Sequence, residues 1–245
     1  MRLRHITFTG IDAKTDIRDL QEIQDQYPIV EFGVLTSYHW YENGNRYLDP
    51  LLLRNFRTRD GRIGETDINL SLHICGRAAH DAAYGDWWEI ENLTYGNLKL
   101  FNRFQLNVAE RHDNPPYVKT APYNWQQMII QQRSVNEIDL LKETLRSFPF
   151  HESFAVLLDA SGGRGIDTPI EVLKGQVMTG YAGGINPDNV ADKLSYLLQQ
   201  ENKGDFWIDM ESGVRTDDWF DIEKVSRVLA TCKEVMRELH VEEWL

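Results

Sequence analysis

Along the chain, short apolar runs alternate with longer stretches in which apolar residues recur at helical spacing. His5 to Ile11 is the first such run, and Asp16 to Tyr27 follows it with Ile17, Leu20, Ile23 and Gln24 at helical spacing, which predicts strand then helix. The unit repeats with Ile29 to Leu35, a polar loop carrying Asn43, Gly44 and Asn45, and a helix from Asp49, where Pro50 suits the first turn. Further strands are predicted at Ile68 to Cys75, Arg103 to Val108, Gln127 to Gln131, Phe154 to Leu158, Val177 to Ala182 and Phe206 to Met210. Helical periodicity returns at Val135 to Phe148, Pro187 to Gln200 and Asp218 to Leu239, the second opening on the helix-start sequence Asn186, Pro187, Asp188. Strands alternating with helices imply parallel pairing, so the expected fold is α/β, one (β/α)8 TIM barrel over residues 1–245. Two stretches fit less directly. Asp86 to Leu100, with Trp87, Trp88 and Tyr95, reads as an insertion between the third and fourth strands, and His112 to Trp125 holds Pro115, Pro116 and Pro122 and cannot be one regular helix.

Length and composition agree with one soluble barrel: 245 residues, 42% of them hydrophobic and 26% charged. A formal net charge of −12 argues against broad contact with nucleic acid, whose phosphates call for a basic face, but leaves room for a pocket that takes one small phosphate. No apolar run approaches the roughly 18 residues of a membrane span, and the first twenty residues lack the apolar core of a targeting peptide, so the expected location is the cytoplasm. Cys75 and Cys232 have neither metal-site spacing nor the density of a disulfide scaffold; both are expected reduced, with no metal bound.

Candidate chemistry gathers at the ends of the late strands. Three glycine-bearing turns follow them: Asp159 to Gly165, Ala182 to Val190 and Asp209 to Val214. Glycines let backbone N–H groups approach an anion without interference from a Cβ, and barrels commonly bind phosphate after strands seven and eight. Asp159 and Asp209 each end an apolar run, where a partly desolvated carboxyl serves as a general acid or simply caps the next turn.

These turns carry a resemblance. Gly-Gly-x-Asn-Pro-x-Asn-Val, from Gly183 to Val190, is similar to the seventh-strand signature of the phosphoribosylanthranilate isomerase family, and Asp209 to Val214 is similar to its Asp-Val-Ser-Ser-Gly-Val. Leu157 to Asp159 with the Gly162 to Gly165 loop, Phe104 to Leu106, and Asn45 to Pro50 resemble further segments of that family in the same order. The resemblance implies an intramolecular aldose–ketose (Amadori) isomerisation of a phosphoribosyl amine or related sugar phosphate, without cofactor. It places the general acid at Asp159, a contact to an anionic aryl group at Arg46, further substrate contacts at Gln105 and Asp209, and the phosphate among Gly183, Gly184, Ser212 and Gly213. Arg suits a carboxylate because its planar fork donates two parallel hydrogen bonds.

Departures from the family pattern bear on the chemistry. The family's basic cysteine ends its first strand, where this chain has Thr7, Phe8, Thr9, Gly10, so Thr9 takes the base position with a hydroxyl too weakly acidic to work unaided. Cys75, in His73, Ile74, Cys75, Gly76, is a replacement base or a small core residue, and Asp12 is a base or a helix-start cap. Arg164, Ile166 and Glu211 stand where the family has other residues and point to an altered substrate. The alternative to an isomerase is a barrel without catalysis that binds a phosphorylated sugar or nucleotide-like ligand. A third reading uses Trp87, Trp88 and Trp219 as anchors of an assembly interface.

Overall fold

The computed structural model describes residues 2–241 apart from 43, 57, 59, 61, 63–65, 108–121, 124, 139–153, 176 and 202–203. Eight parallel strands close on themselves in chain order: β1 (Leu3–Thr9), β2 (Val30–Thr36), β3 (Leu70–Cys75), β4 (Arg103–Asn107), β5 (Gln127–Gln132), β6 (Phe154–Leu158), β7 (Thr179–Tyr181) and β8 (Phe206–Met210), with β1 pairing β8. The expected (β/α)8 barrel is what forms.

The strands sort their side chains by alternation. Ile6 and Phe8, Val30 and Phe32, Leu72 and Ile74, Phe104 and Leu106, and Ile208 and Met210 belong to the large apolar layer beneath the helices. The opposite phase fills the interior. Ile129, Ala155, Leu157 and Trp207 form a separate apolar cluster there, while Glu31 and Arg103 make a buried bidentate pair at 2.7 and 2.8 Å, joined by the Thr7 hydroxyl, which donates to Glu31 at 3.0 Å. Arg103 also lies 4.3 Å over the Trp207 ring. Trp207 presses on the position of a Cβ at Gly180, so only glycine fits that point of β7.

Helix α1 (Ile17–Gln26) starts where the Asp16 carboxyl accepts from the Arg18 N–H, and it buries Leu20 and Ile23. The third β-to-α crossover holds α2 (Arg77–Ala83) and α3 (Trp88–Leu93), so the expected insertion forms part of the wall: Ile90, Leu98 and Leu100 enter the core, and Trp87 packs 5.0 Å from Phe104. Trp88, by contrast, is exposed. Helix α4 (Val190–Leu198) buries Val190, Leu194 and Leu197. Helix α5 (Ile222–Glu238) buries Val225, Val228, Leu229, Cys232, Val235 and Met236 along one stripe and is capped by Asp221.

Several strand limits shift by one or two residues, and three helical segments depart further from expectation. The helix from Asp49 is a 3-10 helix, Pro50–Asn55, too short to form an α-helical crossover. The last helix begins at Ile222 and not at Asp218, because Trp219–Phe220 pairs back on Arg215–Thr216 in a hairpin. Asn186 and Asn189 fold the start of Pro187 to Gln200 into a turn before α4 begins. Most of Val135 to Phe148 and of His112 to Trp125 lies outside the described residues. Among the described residues no helix is long and apolar enough to cross a membrane.

Candidate active site

The carboxyl ends of the strands surround a pocket of about 500 Å³, counting the space open to solvent, lined by Thr9, His73, Gln105, Asn107, Gln131, Asp159 and Asp209 from the strand ends and by Gly163, Gly165, Gly183, Gly184, Ser212 and Gly213 from the turns that follow. Each of the former is the interior-facing member of its strand end, which is how residues far apart in sequence converge on one mouth.

The two aspartates have different surroundings. Asp159 is an acceptor on both oxygens: Ser161 N–H at 3.0 Å and Ser161 Oγ at 2.6 Å reach Oδ1, while Gly163 N–H at 2.5 Å and Gln131 Nε2 at 2.9 Å reach Oδ2. Among the described residues Asp209 has one such donor, the Thr9 hydroxyl at 2.9 Å from Oδ1. Burial pushes its pKa from the ordinary 3.8 up to about 8, and the Glu31 and Glu211 charges add to that push against Thr9 and Arg103. Thr9 therefore serves the carboxyl as a hydrogen-bond donor.

His73, on β3, lines the same pocket. A Cβ at Gly33 would come 2.6 Å from Thr9 Oγ1 and 3.0 Å from His73 Nε2, so the glycine in β2 leaves room for both side chains. His73 contacts Ser71 Oγ at 3.1 Å and Gln105 Nε2 at 3.0 Å, and burial lowers its pKa to about 4, leaving it neutral at physiological pH. Gln105 Nε2 also donates to Asn107 Oδ1 at 3.0 Å, while Gln105 Oε1 is buried without a hydrogen-bond partner.

Toward the rim, the glycine turns interlock. A Cβ at Gly213 would run into the Ile185 carbonyl, one at Gly184 into the Asp167 backbone, and one at Gly165 would lie 2.5 Å from Ser212 Oγ. Lys193 fastens the same loops from outside, donating to Thr168 O at 2.9 Å and Gly183 O at 3.1 Å. The four residues expected around a phosphate, Gly183, Gly184, Ser212 and Gly213, all line the pocket, as do Thr9, Asp159, Gln105 and Asp209.

Arg46 and Cys75 stand apart from these. Arg46 does not line the pocket, and both arms of its guanidinium are taken, Nη1 by Glu211 at 2.7 Å and Nη2 by Asp218 at 2.8 Å. Burial works against its charge, but those two carboxylates outweigh it and raise its pKa. Cys75 is not a lining residue, and its thiol is pushed up to about 11 by burial, which the hydrogen bonds of Tyr47 and Asn107 only partly offset. Asp12 is buried in a structural role, bound to Arg215 Nη2 at 3.0 Å and to the Phe220 N–H at 2.6 Å. His73, Asn107 and Gln131 were not anticipated; the signal that marks them is a polar residue within an apolar strand, in phase with the strand-end aspartates.

Residues 101–231, more than half of the chain, match the family model described as N-(5'phosphoribosyl)anthranilate (PRA) isomerase. The chain belongs to the phosphoribosylanthranilate isomerase family. Its fold is shared with the phosphoribosyl anthranilate isomerase of Thermotoga maritima, at 15% identity and a TM-score of 0.57 over 96% of this chain and 100% of that one. The N-(5'-phosphoribosyl)anthranilate isomerase of Pyrococcus furiosus is similar at 15% identity and a TM-score of 0.54, covering 94% and 98%. A third structure, a phosphoribosyl anthranilate isomerase in complex with reduced 1-(o-carboxyphenylamino)-1-deoxyribulose 5-phosphate, aligns at 14% identity and a TM-score of 0.55 over 96% and 100%. No curated protein sequence matches the chain.

Proposed function

We propose that this family member isomerises an N-linked phosphoribosyl amine to the corresponding 1-amino-1-deoxyketose phosphate, with Asp159 and Asp209 dividing the proton transfers. The observation that carries this reading is that two aspartates of contrasting environment face one pocket, beside a rim of glycine turns able to present N–H groups to a phosphate. Pairs of titratable groups held apart in this way are how a site separates acid from base.

The resemblance assigns the acid to Asp159, but the local environments favour the opposite division. Asp209, raised to about 8, carries its proton at neutral pH and delivers it to the ring oxygen as the C1–O bond breaks and the nitrogen lone pair forms the iminium. The resulting Asp209 carboxylate, held by Thr9, then faces a cation. Asp159, whose oxygens accept from four donors, takes the C2 proton, and the C2–H electrons form the enaminol; Asp159 then returns a proton to C1 as the C2 hydroxyl gives up its own to solvent, which leaves the ketose. Thr9 acts through Asp209 as a positioning residue, which accounts for a first strand without a cysteine at its end.

A pH profile tests the division. With Asp209 as acid, kcat/KM on a phosphoribosyl arylamine falls about tenfold per pH unit above about 8, because the protonated form disappears. A rate that instead climbs through pH 8 contradicts the assignment and makes Asp209 the base.

A further inference from the structure

One arginine ties the loop after β2 to the chain beyond β8. Arg46 is the residue that the resemblance assigns to a ligand carboxylate, yet its fork is filled from within the chain, by Glu211 at 2.7 Å and Asp218 at 2.8 Å. Glu211 itself lines the pocket, whereas Arg46 does not. Among the described lining residues there are three carboxyl groups, Asp159, Asp209 and Glu211, and no Lys or Arg. Gln105, another lining residue, holds a buried Oε1 with no hydrogen-bond partner among the described residues.

Resting on the isomerase reading above, we propose that the amine-bearing end of the substrate is an uncharged or cationic group offering N–H donors, and that Glu211, by occupying Arg46, excludes an aromatic carboxylate. A ligand carboxylate near Glu211 meets a like charge and finds no free guanidinium, so the wall repels it as well as failing to bind it. A carboxamide or heteroaromatic amine meets acceptors instead, and the iminium formed on ring opening is a cation among carboxylates. The glycine rim still takes the phosphate, so selectivity lies at one end of the ligand alone.

The experiment compares two stable analogues by calorimetry: reduced 1-(o-carboxyphenylamino)-1-deoxyribulose 5-phosphate and its o-carbamoyl counterpart, which differ only in charge and donors at the tested end. The wild-type protein is expected to bind the carbamoyl analogue about tenfold or more tightly than the carboxy analogue. In Glu211→Gln, which removes the like charge and weakens the hold on one arm of Arg46, the carboxy analogue gains and the preference narrows or reverses. Equal or tighter binding of the carboxy analogue by the wild type overturns the inference and leaves the isomerase reading intact. If neither analogue binds, nor ribose 5-phosphate alone, both readings fall. The wild-type comparison stands whether or not the variant folds.

Discussion

Replacing Asp209 by Asn is expected to abolish turnover while making the protein more stable at alkaline pH. Asp209 is 5% exposed, and its folded pKa of about 8 stands above the ordinary 3.8. A raised pKa means that the folded state holds the proton more tightly than the unfolded chain does. The wild type therefore has this group's full contribution below about pH 4 and loses it as pH rises through about 8. Roughly four units at about 1.4 kcal/mol each set a ceiling of about 6 kcal/mol, and relaxation around a pocket-facing group reduces this to about 2–4 kcal/mol. Asn keeps an acceptor for the Thr9 hydroxyl and cannot ionise, so the variant escapes the loss. Urea unfolding of both proteins at pH 4.5, 7 and 9 reads the effect as a gap in favour of Asn that widens with pH. A gap that stays constant within about 1 kcal/mol across that range refutes the claim that Asp209 is strongly desolvated.

Other residues give independent checks. Glu31→Gln leaves the Arg103 guanidinium buried with a neutral partner and is expected to cost about 3–5 kcal/mol in denaturant unfolding; a loss under about 1 kcal/mol means the pair is solvated. Because His73 is neutral in the fold with its pKa near 4, stability is lost as pH drops from about 6.5 toward 4, and His73→Gln flattens that limb in thermal melts, whereas an unchanged limb contradicts it. Gly213→Ala puts a methyl group against the Ile185 carbonyl and is expected to weaken ribose 5-phosphate binding at least about tenfold, with intact binding arguing against a phosphate at that rim.

The strands were legible because each is an apolar run, and β6 and β8 coincide with their expected limits, Phe154–Leu158 and Phe206–Met210. What lies inside the barrel was not. Glu31 sits in a wholly buried strand, and its partner Arg103 is 72 residues away, a pairing that no local pattern carries. The helix expected from Asp49 shortened to a 3-10 segment whose extent is set by Leu53 and Phe56 reaching the core. In the site, Asp159 and Asp209 were readable as the last polar residues of apolar runs, and both reach the pocket. Arg46 was readable by its neighbours, but the carboxylates that fill its fork, 165 and 172 residues further along the chain, become visible only when the barrel closes. The same closure couples Thr9 to Asp209 across 200 residues and makes a residue unsuited to act as a base a hydrogen-bond donor to a buried carboxyl.

The central claim is tested most directly by the reaction itself. A phosphoribosyl arylamine, labelled with carbon-13 at C1 and prepared with both carboxy- and carbamoyl-substituted aglycones, is incubated with the protein and followed by NMR. Conversion of the anomeric C1 signal into the aminomethylene signal of a ketose, faster for the carbamoyl substrate and absent in Asp159→Asn and Asp209→Asn, is the predicted result. A label that remains anomeric with both substrates, in protein that still binds ribose 5-phosphate, contradicts the account and leaves a barrel that holds its ligand without transforming it.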